Sequence, residues 1–474
     1  MTFRWTDAAV RSALELGEGG GVGEVVYRSV STDTRTIQAG DLFVALKGAR
    51  FDAHDFVGEA VARGARGLVV ERVPGEVPEG VVCYRVPDTL VALGQLARYR
   101  RRRLGARVCA VTGTNGKTTT KEMARAVLAT RYRVHATTGN LNNLVGAPLT
   151  LLAAPEGVEA VVVEVGTNAP GEIARLRDIV EPDAAIVTGV AEGHLEGLGS
   201  VAGVLAEKAS LLERLPADGV AIVADEPAEL AERARGLARR VRVAGWSERA
   251  DALLRAEAVS LDEEGRVRFR WAGREVRLRF RGRPNARNAL LALGLGLEWG
   301  VDADAAVAAL EALEPPRMRL EFVRYGDLVV ICDCYNANPG SLAAAVDLLV
   351  SMPRRGGRVA VVGSMRELGA ESEALHRKAA AALAAAEIDL IVATGDFVRA
   401  FEPLAGELGE RLIRAEDPIE AYGLLAPRLR GDEVVLLKGS RGVQLERLLP
   451  LFEEGRRAEA TARGGAAAAR TRGE

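Results

Sequence analysis

The chain has 474 residues, of which 48% are hydrophobic and 27% charged, and its formal net charge is -2. This composition is typical of folded globular proteins and excludes a disordered or membrane-embedded chain, while the length predicts roughly three domains at about 150 residues each. The near-neutral charge supplies no basic field to hold a nucleic acid, so we expect small molecules as partners.

The cysteines and the apolar runs indicate the compartment. Four cysteines are scattered through the chain, a usage typical of a reducing environment. The N-terminal segment lacks the apolar stretch of a signal peptide, and no segment approaches the roughly 18 apolar residues of a membrane span. We therefore expect a cytoplasmic protein without a membrane span, and a monomer.

The first domain is predicted to end near Asp88, where a turn leads into a helix containing the arginine run Arg100 to Arg103. That run is either an anion-binding patch or the solvated end of a linking helix, and the second is the commoner case. From Val108 onward, β-branched runs alternate with segments of helical period, which predicts a parallel α/β sheet. The predicted strands are Val108 to Val111, Ala160 to Val165, Ala184 to Thr188, Val220 to Val223, Leu328 to Ile331, Val359 to Val362, Leu390 to Ala393 and Val434 to Leu437.

Two stretches break this rhythm. Residues 256–281 alternate polar and apolar side chains and predict an antiparallel hairpin in or beside the sheet. Pro315 and Pro316 end a helical segment and suggest a domain hinge.

Cys332 and Cys334 lie two apart in an apolar run, share one strand face and are interpreted as packing residues. The expected domains are residues 1–88, 89–314 and 315–454, and the Arg/Ala/Gly-rich tail 455–474 is expected to be disordered.

The strongest motif is VTGTNGKTTT at residues 111–120, which follows a predicted strand and precedes a helix. Gly113 and Gly116 let backbone N–H groups approach anionic oxygens, Lys117 adds charge at the terminal phosphates, and the Thr118 hydroxyl can bind Mg²⁺. Val111 stands where the full Walker pattern has glycine, so the motif is a shortened variant, and a chance glycine turn is the weaker alternative. It predicts a nucleotide site formed by Thr112, Gly113, Thr114, Asn115, Gly116, Lys117, Thr118 and Thr119.

Three further side chains follow later strands. Glu164 ends an apolar strand at the carboxyl edge of the sheet, where open α/β sheets bind ligands, and is either a second Mg²⁺ anchor or an exposed strand-end acid. His194 lies in the loop after the next strand, and Lys208 lies on the helix that follows. Taken alone, a single histidine is more often structural and a helical lysine is more often solvated.

Six segments together resemble the Mur ligase family: TGTNGKTTTKE, TTGNLNNLVGAPLTLL, VVVEVGTNAPGEIARL, HLEGLGSVAG, CYNANPGS and LLKGSRG. The resemblance extends from about Ser31 to about Glu446. It implies three α/β domains: a small uridine-nucleotide domain, a central phosphate-loop ATPase domain with a parallel sheet, and a C-terminal Rossmann-like domain that closes over ATP. In the first domain it implies a substrate site at Thr34, Arg35, Lys47 and Gly48, for which a small dimerisation domain is the alternative.

In the central domain, the resemblance implies that Thr118 and Glu164 bind a first Mg²⁺ and that His194 lies near a second, with Lys208 as a carbamate. A lysine with a pKa of about 10.4 would be a cation beside a cation, whereas CO₂ added to its neutral amine makes an anionic oxygen ligand. The implied catalytic residues are Lys117, Lys208, His194 and Arg319.

Further implied contacts surround the two substrates. Those to the nucleotide come from Asn285, Asn288, Arg319, Asp333, Tyr335 and Asn336, and those to the precursor or amine from Asn142, Asn143, Asn338, His376, Lys438 and Ser440. Four residues depart from the common family pattern, where histidine, aspartate, glycine and glutamate are usual: Pro284, Cys332, Ala209 and Ser210. These departures loosen the adenine and second-metal assignments.

The activity that the resemblance implies is an ATP- and Mg²⁺-dependent amide ligase that joins D-alanyl-D-alanine to a UDP-MurNAc-tripeptide carboxylate through an acyl phosphate. One alternative is a sibling ligase that adds a single amino acid, of the diaminopimelate-, lysine- or folylpolyglutamate-adding kind. Another, of a different class, is a nucleotide-binding protein without catalysis, which would be expected to lack Lys117, Thr118 or Glu164.

Overall fold

The computed structural model describes residues 3–17, 25–48, 51–73, 75–353 and 356–455. Three α/β regions follow one another along the chain, each built on its own mainly parallel sheet, so the predicted fold class is confirmed. Within the described residues, no helix has the length and apolar character needed to cross a bilayer. The tail predicted to be disordered lies outside the described residues, except for Gly455.

The N-terminal region is a four-stranded parallel sheet whose short central strands are buried on both faces, as parallel sheets require. In spatial order its strands are Val30–Ser31, Leu42–Val44, Gly67–Val70 and Val82–Arg85. A second, antiparallel pair consists of Trp5–Thr6 and Val26–Tyr27. The helices of this region are Asp7–Ala13 and Val57–Ala62.

Helix Thr89–Arg101 leads from the first region into the second. Its N-cap is Asp88, whose carboxylate accepts hydrogen bonds from the backbone N–H groups of Leu90 and Val91. The arginine run at its end was predicted to be solvated, but Arg100 is fully buried, with one guanidinium nitrogen 3.1 Å from Glu156, and Arg101 pairs with Asp183. These contacts favour structural roles for the two side chains over an anion-binding patch.

The central region contains a six-stranded, all-parallel sheet. In spatial order the strands are Val241–Ala244, Val220–Ala224, Ala184–Val187, Arg107–Thr112, Ala160–Glu164 and Val134–Ala136. Because the chain crosses from Ala160–Glu164 over Arg107–Thr112 to Ala184–Val187, the strand order reverses beside the phosphate-loop strand. Such a switch point is where open α/β sheets form their ligand crevice. The helices are Lys117–Ala129, Gly146–Leu152, Glu172–Val180, Leu195–Leu198, Val201–Ala209, Ala228–Leu237, Pro284–Glu298 and Ala303–Ala312.

The alternating segment 256–281 forms a separate sheet of three antiparallel strands, so the expected single hairpin was incomplete. Its strands are Glu257–Leu261, Arg266–Trp271 and Arg274–Arg281. Its inward side chains, such as Phe269 and Trp271, pack in one cluster with Leu290 of helix Pro284–Glu298. This packing holds that helix against the phosphate-loop helix.

The C-terminal region has a six-stranded sheet with one antiparallel edge. In spatial order its strands are Glu321–Tyr325, Leu328–Asp333, Val434–Lys438, Arg358–Val362, Leu390–Ala393 and Leu412–Arg414, and only the first pairs antiparallel. The helices are Pro339–Ser351, Ser372–Ala385, Asp396–Ala400, Ala405–Leu408 and Pro418–Leu425. Cys332 and Cys334 are both buried, in agreement with their interpretation as packing residues.

Candidate active site

The phosphate loop connects strand Arg107–Thr112 to helix Lys117–Ala129 and is held from two sides. Gly113 and Gly116 have φ angles of +146° and +82°, which only glycine adopts without strain. On one side, Thr188 donates a side-chain hydrogen bond to the carbonyl of Asn115. On the other, a Cβ at Gly116 would lie 2.5 Å from Oδ1 of Asn288. The loop is therefore preorganised, with its N–H groups at a helix N-terminus.

Lys117 and Thr118 begin that helix and face the crevice. Lys117 Nζ donates to the carbonyls of Gly113 at 2.9 Å and Thr114 at 3.2 Å. Burial lowers the pKa of Lys117, opposed by attraction to Glu164 and reinforced by repulsion from Arg319. Arg319 also donates to the hydroxyl of Thr118 at 3.0 Å. Three cationic or polar groups thus converge where a triphosphate would carry its charge.

Glu164 ends strand Ala160–Glu164 in the adjacent position. Its side chain is buried, one carboxylate oxygen accepts from Asn142 Nδ2 at 2.8 Å, and the other has no hydrogen-bond partner among the described residues. A buried carboxylate oxygen without a donor is costly unless a ligand or ion satisfies it. The expectation of an exposed strand-end acid therefore does not hold.

Lys208 is fully buried, and its amine has no hydrogen-bond partner within the described residues. Burial, with repulsion from Lys117, lowers its pKa well below the ordinary value. A solvated helical lysine was the default interpretation of the sequence, and the structure contradicts it. The amine is neutral over a wider pH range than usual, which is the form that reacts with CO₂.

His194 lies across the crevice in a left-handed conformation, with φ of +56°. Its Nδ1 is 2.8 Å from Oε2 of Glu367, although the approach is not aligned as a hydrogen bond. The His194 ring lowers the pKa of Glu367 against the opposing effect of burial, with further attraction from Lys117 and Lys208. A carboxylate therefore faces the cationic side of the site from the C-terminal region.

The start of helix Pro284–Glu298 and the C-terminal region complete the far wall. Asn288 donates to Asn285 at 2.8 Å, and the guanidinium of Arg319 lies 4.3 Å from the centre of the Tyr335 ring. Asp333 Oδ2 pairs with Lys438 Nζ at 2.8 Å, and the same amine donates to the Asn336 carbonyl at 2.5 Å. These contacts fix the loop that follows strand Leu328–Asp333.

Asn115 and Asn338 join the two walls directly. Their side-chain amides exchange two hydrogen bonds, of 3.1 and 2.8 Å, across a separation of 223 residues. Asn338 also caps helix Pro339–Ser351. The phosphate loop and the C-terminal region are therefore in contact at one side of the crevice.

The crevice forms an open cavity of about 740 Å³, within the usual size range of small-molecule sites. Among the predicted residues it is lined by Thr114, Asn115, Gly116, Lys117, Thr118, Thr119, Asn142, Asn143, Glu164, His194, Asn285, Asn288, Arg319, Asp333, Tyr335, Asn336 and Lys438. Thr112, Gly113, Lys208, Asn338 and Ser440 lie behind this lining as buried or supporting residues.

Other predicted residues lie elsewhere. Thr34, Arg35, Lys47 and Gly48 belong to the N-terminal region and do not line the cavity. Arg35 is exposed and pairs with Asp33. His376 is buried in the C-terminal region, where its Nε2 accepts from the backbone N–H of Met365 and its Nδ1 lies 2.7 Å from the Ser372 carbonyl, so both nitrogens have local partners.

The sequence interpretation missed two residues that the structure brings to the site. Thr188, which anchors Asn115, was named only as a strand end, and Glu367 was not considered. Glu367 follows the buried strand Arg358–Val362 in the segment SMRELG. The rule that selected Glu164, an acid beyond the carboxyl end of a parallel strand, would also have selected Glu367.

The arrangement defines a phosphate-loop nucleotide-binding protein whose site is shared between the central sheet and a Rossmann-like region. Within the described residues, no group of three or more His, Cys, Asp and Glu side chains could hold a metal ion by itself.

Three family models match the chain: the Mur ligase family catalytic domain at residues 26–101, the Mur ligase middle domain at 111–296, and the Mur ligase glutamate ligase domain at 318–441. Since these matches cover most of the sequence, the chain belongs to the Mur ligase family. The resemblance drawn from the six motifs is confirmed.

Similar proteins and structures agree with this assignment. The UDP-N-acetylmuramoyl-tripeptide–D-alanyl-D-alanine ligase of Bacillus subtilis is 37% identical, covering 90% of this chain and 93% of its own. Its namesake in Escherichia coli K12 is 38% identical, covering 91% and 95%. A crystal structure of MurF from Acinetobacter baumannii matches with a TM-score of 0.85 at 32% identity, covering 96% and 99%. MurF ligase from Thermotoga maritima in complex with ADP matches with a TM-score of 0.78 at 27% identity, covering 91% and 98%.

Proposed function

We propose that this Mur ligase joins the amine of D-alanyl-D-alanine to the terminal carboxylate of UDP-MurNAc-tripeptide, with hydrolysis of ATP, in peptidoglycan precursor synthesis. The observation that carries the proposal is the crevice in which Lys117, Thr118 and Glu164 meet Arg319 at a switch point of the sheet. The names and nearly complete coverage of the relatives support the choice of substrates. Use of ATP is also supported by the ADP complex of the similar structure.

A carboxylate resists attack by an amine at neutral pH because oxide is a very poor leaving group. In the proposed first step, a carboxylate oxygen attacks the γ-phosphorus, the bond to ADP breaks, and an acyl phosphate forms. In the second, the amine attacks the carbonyl carbon, phosphate leaves, and the amine loses its proton. The reaction needs no covalent bond to the enzyme.

Positioning and electrostatic stabilisation are the main contributions of the protein. Lys117 and Arg319 would bind the oxygens on which negative charge gathers in both steps. The contact between Asn115 and Asn338 holds the C-terminal region against the phosphate loop, and complete closure over bound substrates would keep water from the acyl phosphate. A dipeptide amine has a pKa of about 7.7 to 8.0, so an appreciable fraction is already neutral at pH 7.5.

The buried atoms without partners fit a magnesium-dependent site. Thr118 and Glu164, whose second carboxylate oxygen has no partner among the described residues, would hold one Mg²⁺. His194, through Nε2, and Lys208 as a carbamate would hold a second, and the Lys208 amine likewise has no partner among the described residues. Bound Mg²⁺ would neutralise phosphate charge and polarise the transferring group. The low pKa of Lys208 supports carbamate formation, since only a neutral amine adds CO₂.

The N-terminal region supplies the proposed uridine-nucleotide site at Thr34, Arg35, Lys47 and Gly48, none of which lines the crevice. Asn142 and Asn143 do line it, and they are the proposed meeting point of nucleotide and precursor. An extended precursor would span from that region to the phosphate loop. Free thiols at Cys83, Cys109, Cys332 and Cys334 are consistent with the proposed cytoplasmic location.

A sibling that adds a single amino acid is the competing assignment. A diaminopimelate-adding ligase and a folylpolyglutamate synthase match at 17% and 20% identity, which supports a common fold alone. The relatives with higher identity carry the dipeptide-adding name, and they favour the dipeptide.

The test is a phosphate-release assay with UDP-MurNAc-tripeptide, ATP and either D-alanyl-D-alanine or single amino acids, with the amide product identified by mass spectrometry. We expect turnover with the dipeptide. Lys117→Ala should reduce it by about 100-fold or more, as for removal of a group that binds transition-state charge. Lys378→Ala, at an exposed lysine of the C-terminal region, is the matched control. Turnover with a single amino acid instead of the dipeptide would reject the proposal.

A further inference from the structure

Glu367 and His194 bring two regions of the chain together at the edge of the cavity. Glu367 lies in the loop after strand Arg358–Val362 of the C-terminal region, and His194 precedes helix Leu195–Leu198 of the central region. Oε2 of the glutamate is 2.8 Å from Nδ1 of the histidine. The side chain of Glu367 is 45% exposed and that of His194 only 15%.

The backbones of the two loops are also joined. The N–H of Glu196 donates to the carbonyl of Glu367 at 3.1 Å. His194 and Glu367 both have left-handed φ angles, of +56° and +64°, which non-glycine residues adopt only when surrounding contacts impose them. At Gly369, an added Cβ would lie 2.8 Å from Cα of Glu196, so the loops are in close contact. The approach of the two side chains is therefore set by the way the regions dock.

This approach assigns different roles to the two ring nitrogens. A neutral imidazole has one N–H donor and one lone pair. With a carboxylate beside Nδ1, the proton is favoured on Nδ1, and the lone pair of Nε2 is left for another ligand. Carboxylates commonly orient ligand histidines in this way. The contact is short but not aligned here, as is frequent before substrates are bound.

We propose that Glu367 is a positioning residue that holds His194 as its Nδ1–H tautomer, which leaves the Nε2 lone pair available to another ligand while the C-terminal region is docked on the central one. The inference deepens the proposed function and rests on it for the identity of the reaction. Glu367 acts through His194 and does not itself touch the substrates.

A merely stabilising ion pair is the competing explanation, and exposure argues against it. A pair with one partner nearly half exposed is screened by water and contributes little to stability. Replacement of Glu367 leaves no cavity, since much of the side chain is in solvent. The variants should therefore fold, and any loss of turnover should come from the site.

The kinetic test compares Glu367→Gln and Glu367→Asp with the full-length wild-type enzyme. We expect Glu367→Gln to lower kcat about 10- to 100-fold with little change in the KM for the UDP precursor, as for other partners of ligand histidines, and Glu367→Asp to recover part of the loss. Glu371→Gln is the matched control, because the same charge is removed four residues away from a side chain that forms no ion pair in the described part of the chain.

A second readout needs no turnover and no metal. The chain has only four histidines, so ¹⁵N-labelled histidine spectra of the complex with ADP and UDP precursor, assigned with His194→Asn, can report the tautomer directly. We expect Nδ1–H in the wild type and a shift toward Nε2–H in Glu367→Gln.

Unchanged kcat in Glu367→Gln, an equal loss in Glu371→Gln, or the same His194 tautomer in both proteins would each overturn the proposal. So would loss of the fold in Glu367→Gln, because a half-exposed pair should not be needed for folding. If the wild type makes no amide from the dipeptide, the proposed function fails, whereas the spectra still decide whether Glu367 orients His194.

Discussion

Gly113 is the position at which the phosphate loop lies closest to the neighbouring strand. Its φ of +146° belongs to a region that is essentially restricted to glycine. A Cβ there would overlap Oγ1 of Thr188 and lie 3.0 Å from the Thr188 backbone nitrogen. Thr188 directly follows strand Ala184–Val187, and its backbone N–H donates to the Thr112 carbonyl, so it cannot move aside and Gly113→Ala has to displace the loop.

The expected cost has two parts. Backbone strain contributes about 1–3 kcal/mol and overpacking about 1–3 kcal/mol, for a total of about 2–6 kcal/mol. For a domain of this size the melting temperature falls by about 2–4 °C per kcal/mol, so we expect a decrease of about 4–24 °C. ATP binding should weaken as well, because Lys117 is held by the Gly113 carbonyl.

Gly171→Ala is the matched control. Gly171 has a φ of +84°, but an added Cβ there meets no atom within 4 Å. It should therefore show backbone strain alone, about 1–2 kcal/mol. The measurement is calorimetric unfolding with and without ATP, which identifies the transition of the nucleotide-binding region. If Gly113→Ala melted as high as Gly171→Ala, the close approach to Thr188 would have no energetic consequence and the reasoning would be refuted.

Three further predictions concern polar groups of the site. Because burial lowers the pKa of Lys208, the unfolded chain binds more protons than the folded one. Lys208→Met should therefore be more stable than wild type in CO₂-free buffer, by a free-energy margin that shrinks as pH rises toward about 10.4. Denaturant unfolding at pH 7 and pH 9 measures this margin, and a margin that grows with pH would contradict the prediction. Lys208→Ala should lose activity and recover part of it with added acetate; full activity without acetate would remove the second-metal role. Asn338→Ala should lower the melting temperature more than Asn115→Ala, because both variants lose the contact between the two amides but only Asn338→Ala also loses a helix cap, worth about 0.5–2 kcal/mol. Both should weaken ATP binding by calorimetric titration. Nucleotide affinity unchanged in both variants would show that their contact does not close the site.

The sequence by itself determined the features whose geometry is local. The phosphate loop was identified because strand, glycines, lysine and helix occupy one continuous segment, and the strand runs were identified because buried parallel strands are apolar along their length. The alternating segment 256–281 correctly indicated antiparallel strands. It did not indicate three strands in a sheet of their own, because strand pairing depends on partners distant in sequence.

Only the tertiary structure decided how the site is assembled. Arg319 reaches Thr118 across 201 residues, and Asn338 meets Asn115 across 223. Lys208 has the helical position of a solvated residue, and its altered pKa arises from the elements packed over it. Glu367 gains a role only because the C-terminal region docks against the loop of His194. Periodicity reports which face of an element is apolar, whereas burial and the field at a charged group depend on every element packed around it, and that information is not local.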